Sequence, residues 1–253
     1  AQRVVVLSAP DNRCYTYYDY YNGLTIMLGK TFYKDVFNLS DEVEPLDLKT
    51  SVYSHLAKIY IGAFYHEFFH LKYTDMDYER DLLRRLDSDV ASLVHTIFNI
   101  LEDVTIENSG VQDYPSSRHF IDKLSEIHFQ EGSIESVSNL IKDHPDTVDA
   151  FISFLLLYAR GYNVSKLPEY KFFEDNKELI EWGISQCIYE RFPRSRHKKQ
   201  IAFAIQLLKL LKGEEFDKKK VTNSEIEEGV TRVPRAGTGD MSRVTKGVTS
   251  MDG

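Results

Sequence analysis

At 253 residues the chain can bury a large core, and one or two domains are expected. Its 42% hydrophobic and 28% charged content is ordinary for a soluble globular protein. The net charge of -8 excludes a global pull toward nucleic acid or an anionic membrane. The two cysteines, Cys14 and Cys187, lie far apart and match no metal-ligand spacing, so a reduced, cytoplasmic protein is the simplest expectation. The opening Val4-Val5-Val6-Leu7 run is too short for a secretory signal. The most apolar stretch, Phe151 to Ala159, is less than half a membrane span and reads as a core helix.

Residues 3–8 and 24–29 read as short strands, joined by a Tyr-rich connection from Tyr15 to Tyr21. Gly29-Lys30-Thr31 resembles the end of a phosphate loop. The earlier glycine is missing (position 24 is Leu24), and the residues between are apolar and strand-like. From about Leu48 to Tyr73 apolar residues recur at helical spacing: Leu56, Ile59, Ile61, Ala63, Phe64, Phe68 and Leu71. Gly62 is the only glycine of that run, one turn before His66, where a missing side chain leaves room for substrate or a neighbouring strand.

Within this helix His66-Glu67-Phe68-Phe69-His70 reads H-E-x-x-H. Residues i and i+4 project from one helix face, so both imidazoles can reach a single ion. A glutamate one position past the first histidine stands where it can take a proton from a metal-activated water. Three polar groups on an otherwise apolar helix need partners, and a Zn2+ ion satisfies them together. Phe68 and Phe69 turn partly away and anchor the helix in the core.

Thr74 to Asp77 reads as a break, followed by one long helix from about Tyr78 to Asn108 with Gly110 just beyond as a stop. Its Leu93, Ile97, Ile100, Leu101 and Val104 would pack on the first helix, while Asn99, Glu102, Asp103 and Glu107 form a broad polar stripe. A catalytic zinc takes three protein ligands and keeps one position for water. A carboxylate of this stripe would supply the third, and another one turn along would orient a histidine through its free ring N–H. His95, one turn before Asn99, reads as a satisfied core histidine, with an oxyanion stabiliser as the alternative, and Tyr65 and Tyr73 flank the motif as possible oxyanion donors.

Further helices are predicted near 117–130, 133–143, 147–161, 172–191 and 197–212, with joints at Gly132, Pro145, Gly161, Pro168 and Pro193. The one basic cluster, Arg191 to Lys199, reads as a solvated helix-start loop rather than a nucleic-acid surface. From about Gly213 apolar periodicity fades. The predicted organisation is a metal-binding, catalytic region over 1–115, a helical region over 116–213 and a polar tail or linker over 214–253. The fold class is α+β and predominantly helical, with a small strand element and a helical C-terminal half.

His66-Glu67-x-x-His70 followed by Tyr73-Thr74-Asp75, then Asn99-x-Leu101-Glu102-Asp103-x-x-Ile106-Glu107, resembles zincin-type metallopeptidase domains. The nearest resemblance is to predicted metallopeptidases that include cobalt-chelatase T-subunit-like proteins of bacteria and phages, often joined to von Willebrand A domains. Their helix reads N-x-L-E-D-x-R-I-E, and this chain carries Thr105 in place of the arginine. The likeness covers roughly residues 50–115. It implies a zincin-like pair of active-site helices, a Zn2+ cofactor, a protein or peptide substrate, and a von Willebrand A domain or an ATPase as partner. Glu102 would make a His-His-Glu site as in gluzincins; Asp103 matches the acid of related N-x-A-x-D sequences. The two rank equally as third ligand, ahead of Glu107 and Asp75.

The function expected is zinc-dependent peptide-bond hydrolysis through a metal-activated water with Glu67 as general base. Its rivals are an inactive zincin-like scaffold or chelatase-like, ATPase-associated subunit acting by partner binding, and a nucleic-acid-associated protein using residues 191–199.

Overall fold

The computed structural model describes residues 4–9, 14–19, 23–29, 50–128 and 131–226. Among these the fold is α+β and predominantly helical, and the described residues divide into two compact units. One holds the N-terminal strands, the helix over 50–73 and residues 106–128; the other holds 74–105 and 131–226. The predicted boundary near residue 115 is not followed: 74–105 fall to the second unit and 116–128 to the first.

The first unit opens with β1 (Val4–Ala9), β2 (Tyr15–Asp19) and β3 (Gly23–Gly29) in the order β1-β3-β2. β1 runs parallel to β3, pairing Val4 with Leu24, and β2 runs antiparallel to it, pairing Tyr15 with Met27. The Tyr-rich segment predicted as a connection is therefore partly an edge strand, in keeping with the strand preference of Tyr and Thr. Helix α1 (Thr50–Tyr73) packs on this sheet: Ile59 and Ala63 meet Cys14, Leu28 and Leu124. Farther along α1, Phe69 is fully buried against Ile106, Val111 and Ile121, with Phe68, Tyr65, Tyr73 and Tyr114 around it. Burying such a ring contributes about 1.5–3 kcal/mol, which fixes the helix's roll and hence the direction of its histidines.

Two glycines set how closely the helices approach. Helix α3 (Ser88–Asp113) runs through Gly110 rather than stopping before it; the Phe69 ring occupies the place a Cβ would take there, so the glycine makes room for the ring. At Gly62 a Cβ would stand 2.5 Å from the Phe120 carbonyl oxygen, on helix α4 (Arg118–His128). The neighbour admitted by Gly62 is thus a helix, not a strand or a substrate.

In the second unit the predicted helix from Tyr78 divides into α2 (Met76–Leu83) and the start of α3. Asp75 caps α2 by accepting the Tyr78 N–H, and Arg84 closes it. The Asp87 carbonyl then accepts from Ala91 and starts α3. Asp87-Ser88 is a helix-start signal that Leu82, Leu83 and Leu86 mask by continuing the apolar spacing. Helices α5 (Glu131–Asp143), α6 (Val148–Ala159), α7 (Lys171–Ile188) and α8 (Pro193–Leu211) follow. Most of α6 is buried, as a core helix should be, and no helix among the described residues is long and apolar enough to cross a membrane. Helix α8 starts earlier than its apolar pattern predicts, with Pro193 in its first turn, where a missing N–H costs nothing.

The tail predicted from 214 begins too early. Phe216 packs edge-on against Trp182 and Phe203, the Asp217 N–H donates to Gln206, and α9 (Lys218–Thr222) buries Val221. The remainder of the predicted tail, 227–253, lies outside the described residues.

Gly62→Ala should destabilise the protein. Helix propensity favours Ala by about 1 kcal/mol, but the contact is with a backbone carbonyl, and overpacking costs about 1–3 kcal/mol. Urea denaturation should show a lower midpoint with an unchanged slope. A raised midpoint would mean that α1 and α4 separate freely at this point.

Candidate metal centre

His66 and His70 sit one turn apart on α1, and their Nε2 atoms approach to 3.2 Å with the rings nearly perpendicular. Two imidazole nitrogens held about 2.05 Å from one tetrahedral ion would lie about 3.3 Å apart. The pair is therefore already spaced for a shared ion. His66 Nδ1 donates to Glu107 Oε1 at 2.8 Å, from the last turns of α3. With that proton on Nδ1, the neutral ring leaves Nε2 as a lone-pair donor. His66 and Glu67 are both 1% exposed, whereas His70 is half-buried. Every group of this set belongs to the first unit, and the donor chemistry fits Zn2+.

The acids of α3 divide among three tasks. Adjacent helical residues differ by about 100° in direction, so Glu102 and Asp103 face different ways, while Asp103 and Glu107 share a face one turn apart. Glu107 orients His66. Asp103 Oδ2 accepts from Arg160 Nη2 at 2.8 Å, with both side chains largely buried. Glu102 is fully buried, and both its oxygens are engaged within the second unit. Oε1 accepts from Arg196 Nη2 at 2.7 Å, Thr74 Oγ1 at 2.7 Å and His197 Nε2 at 3.2 Å. Oε2 accepts from Arg196 Nε at 2.8 Å and Gln200 Nε2 at 3.0 Å. Glu102, ranked equally with Asp103 from sequence, is thus the anchor of a buried polar hub, and its geometry is that of a structural carboxylate.

Burial alone would raise the Glu102 pKa; the hydrogen bonds and charge of His197 and Arg196 outweigh it and hold the carboxyl far below the usual carboxylate range. No residue of this hub was singled out from sequence as a partner of Glu102, since Arg196, His197 and Gln200 lie 94–98 positions away.

The remaining candidates have local occupations. Asp75 caps α2 and accepts from Arg194 at 2.8 Å, which lowers its pKa. His95 is no core histidine: it is partly exposed, pairs with Glu79 at 3.1 Å and stacks on Phe98. Tyr73 donates to Asp113, which also pairs with Lys72, and Tyr65 stacks on Phe120. Thr105, where the related pattern carries Arg, is buried and turns its hydroxyl to the Leu101 carbonyl. In the basic cluster Arg194, Arg196 and Lys199 are paired with Asp75, Glu102 and Glu190, which leaves little of it to neutralise phosphates.

No protein-family model matches the chain, and no curated protein or solved structure matches it either.

Glu102→Gln would strand the buried Arg196 guanidinium without its counter-charge, at an expected cost of about 3–5 kcal/mol. The sign with pH follows from the lowered pKa. In the unfolded chain the carboxyl titrates near about 4.3, so its stabilisation is complete above that value and fades as the pH falls toward the folded pKa. Thermal unfolding followed from about pH 7 to pH 3 should be less steeply pH-dependent in the variant. Equal stability of the two proteins at neutral pH would show that the hub contributes nothing.

Proposed function

We propose that the chain is a zinc-dependent metallopeptidase in which His66 and His70 hold the ion, an acid of the α3 stripe is the third ligand that the sequence pattern calls for, and Glu67 is the general base. The observation that carries this reading is the Nε2 pair at 3.2 Å, with one ring fixed by Glu107 and Glu67 buried beside it. Of the two acids that rank equally in the sequence, Glu102 has both oxygens committed to the hub within the second unit, which leaves Asp103 as the carboxylate to test. When bound, Zn2+ supplies a Lewis acid that polarises a carbonyl and lowers the pKa of water.

The chain's own groups supply the rest. Glu107 keeps the proton of His66 on Nδ1, so that Nε2 stays a donor. Glu67 accepts a proton from the attacking water and delivers it to the leaving amine. Its burial shields that exchange from bulk solvent. Proteins or peptides are the substrate class implied by the zincin-like motifs, and a von Willebrand A domain or an ATPase is the partner they add. Cys14 and Cys187 are buried and not joined in a disulfide, which suits a cytoplasmic setting.

Zinc content and peptide hydrolysis should be measured together. Glu67→Gln should keep about one equivalent of zinc and lose at least about 100-fold in hydrolysis. His66→Ala should lose the zinc. Full activity in Glu67→Gln would overturn the mechanism, and a wild-type chain with no zinc affinity would overturn the metal centre.

A further inference from the structure

The turn between α7 and α8 exposes two large rings. Among the described residues Tyr189 and Phe192 are the most exposed large hydrophobic side chains, at 80% and 74%. They stand three positions apart, so their Cα atoms lie within about 11 Å of each other. A lone exposed ring is ordinary, but two on one turn form a patch. The turn itself is well held. The Tyr189 N–H donates to the carbonyls of Ser185 and Cys187 at the end of α7, and the Phe192 carbonyl accepts from Arg196 at 2.9 Å at the start of α8. Glu190, between the rings, accepts from Lys199 at 2.8 Å and from the Phe192 N–H at 3.3 Å.

Phe192 also breaks a local rule. It is the N-cap of α8 and makes no side-chain cap hydrogen bond. Ser, Thr, Asp or Asn would serve the helix better there, by accepting an N–H of its first turn. Phe at this position forgoes a cap and leaves a ring in water, so folding does not account for it. Such local conflicts concentrate at functional sites. The charges beside the rings are cationic. Arg191, Arg194 and Lys198 are exposed, and Arg194 and Lys198, one turn apart on α8, lie 5.1 Å and 6.0 Å from the centre of the Tyr78 ring. Glu190 and Asp75, the acids that touch this cluster, are already paired with Lys199 and Arg194.

We propose that the α7–α8 turn is a docking surface for a second protein, whose acidic segment sets an apolar side chain on Tyr189 and Phe192 and its carboxylates against Arg191, Arg194 and Lys198. Aromatic residues and arginine are the common anchors of protein contacts, and rings carried on a fixed turn lose little freedom on binding. A nucleic acid fits less well. A phosphate backbone calls for many cations, whereas Arg196 is buried and Arg194 and Lys199 each already face a carboxylate. The whole surface lies in the second unit and is independent of the histidine pair.

The test titrates the full chain against fluorescent probes: a peptide of alternating Glu and Leu, the same peptide with Lys for Glu, and single-stranded oligothymidylate. The acidic peptide should bind, more weakly as salt is added, and the other probes should not. Phe192→Ser should weaken that binding by at least about 10-fold and raise the urea midpoint, since it supplies the missing cap. Arg191→Gln combined with Lys198→Gln should remove most of the salt dependence. Equal binding by Phe192→Ser, or no binding of the acidic peptide by the wild type, would overturn the proposal. So would a lowered urea midpoint in Phe192→Ser, because the ring would then be serving the fold. Tighter binding of oligothymidylate would overturn it in favour of nucleic acid, and dimerisation that Phe192→Ser abolishes would overturn it in favour of a second copy of this chain.

Discussion

The 2.8 Å hydrogen bond from His66 to Glu107 is the interaction on which the histidine pair depends. An imidazole can carry its proton on either nitrogen, and only one tautomer offers Nε2 to a cation. Glu107 fixes that choice from a different helix, so it operates only while the last turns of α3 lie against α1. That contact is set by apolar packing: Phe69 fills the space left by Gly110 and meets Ile106, Val111 and Ile121. On the other side Gly62 lets α4 close on the same helix. The polar geometry thus rests on two missing side chains and one buried ring.

Helix α3 spreads its acids by simple rotation. Three carboxylates within six positions take three partners, Arg196 for Glu102, Arg160 for Asp103 and His66 for Glu107. A buried ion pair is weak evidence for stability, since desolvation consumes most of the Coulomb gain. Its effect here is specificity. Glu102 accepts five hydrogen bonds from four residues, and three of those residues lie on α8, so the carboxylate ties α3 to α8 within the second unit.

The sequence makes some of this legible and hides the rest for physical reasons. The α1 helix with its histidines is readable because apolar spacing of 3.6 continues across the motif. The break between α2 and α3 is not, since Leu82, Leu83 and Leu86 keep that spacing through a turn marked only by Asp87-Ser88. The Tyr15–Asp19 strand hides among aromatics without alternation, and α9 hides because Phe216 and Val221 are isolated apolar residues in a charged stretch. Among the acids, helical rotation alone shows that Asp103 and Glu107 share a face of α3 and that Glu102 takes another. What local pattern cannot supply is the origin of Arg196 and Arg160, which arrive from helices far along the chain.

The burial gradient along the motif bears on access. His66 and Glu67 are almost wholly enclosed, while His70 is half-buried one turn nearer the end of α1. Beyond it, Lys72 and Tyr73 converge on Asp113, and Lys72 lies over the rings of Tyr73 and Tyr114. The lysine is exposed and its pKa is raised by the Asp113 carboxylate, so it stays charged in this clasp. The clasp ties the ends of α1 and α3 together just past the histidines. It holds the last turns of α3, and with them Glu107, against the helix that carries His66.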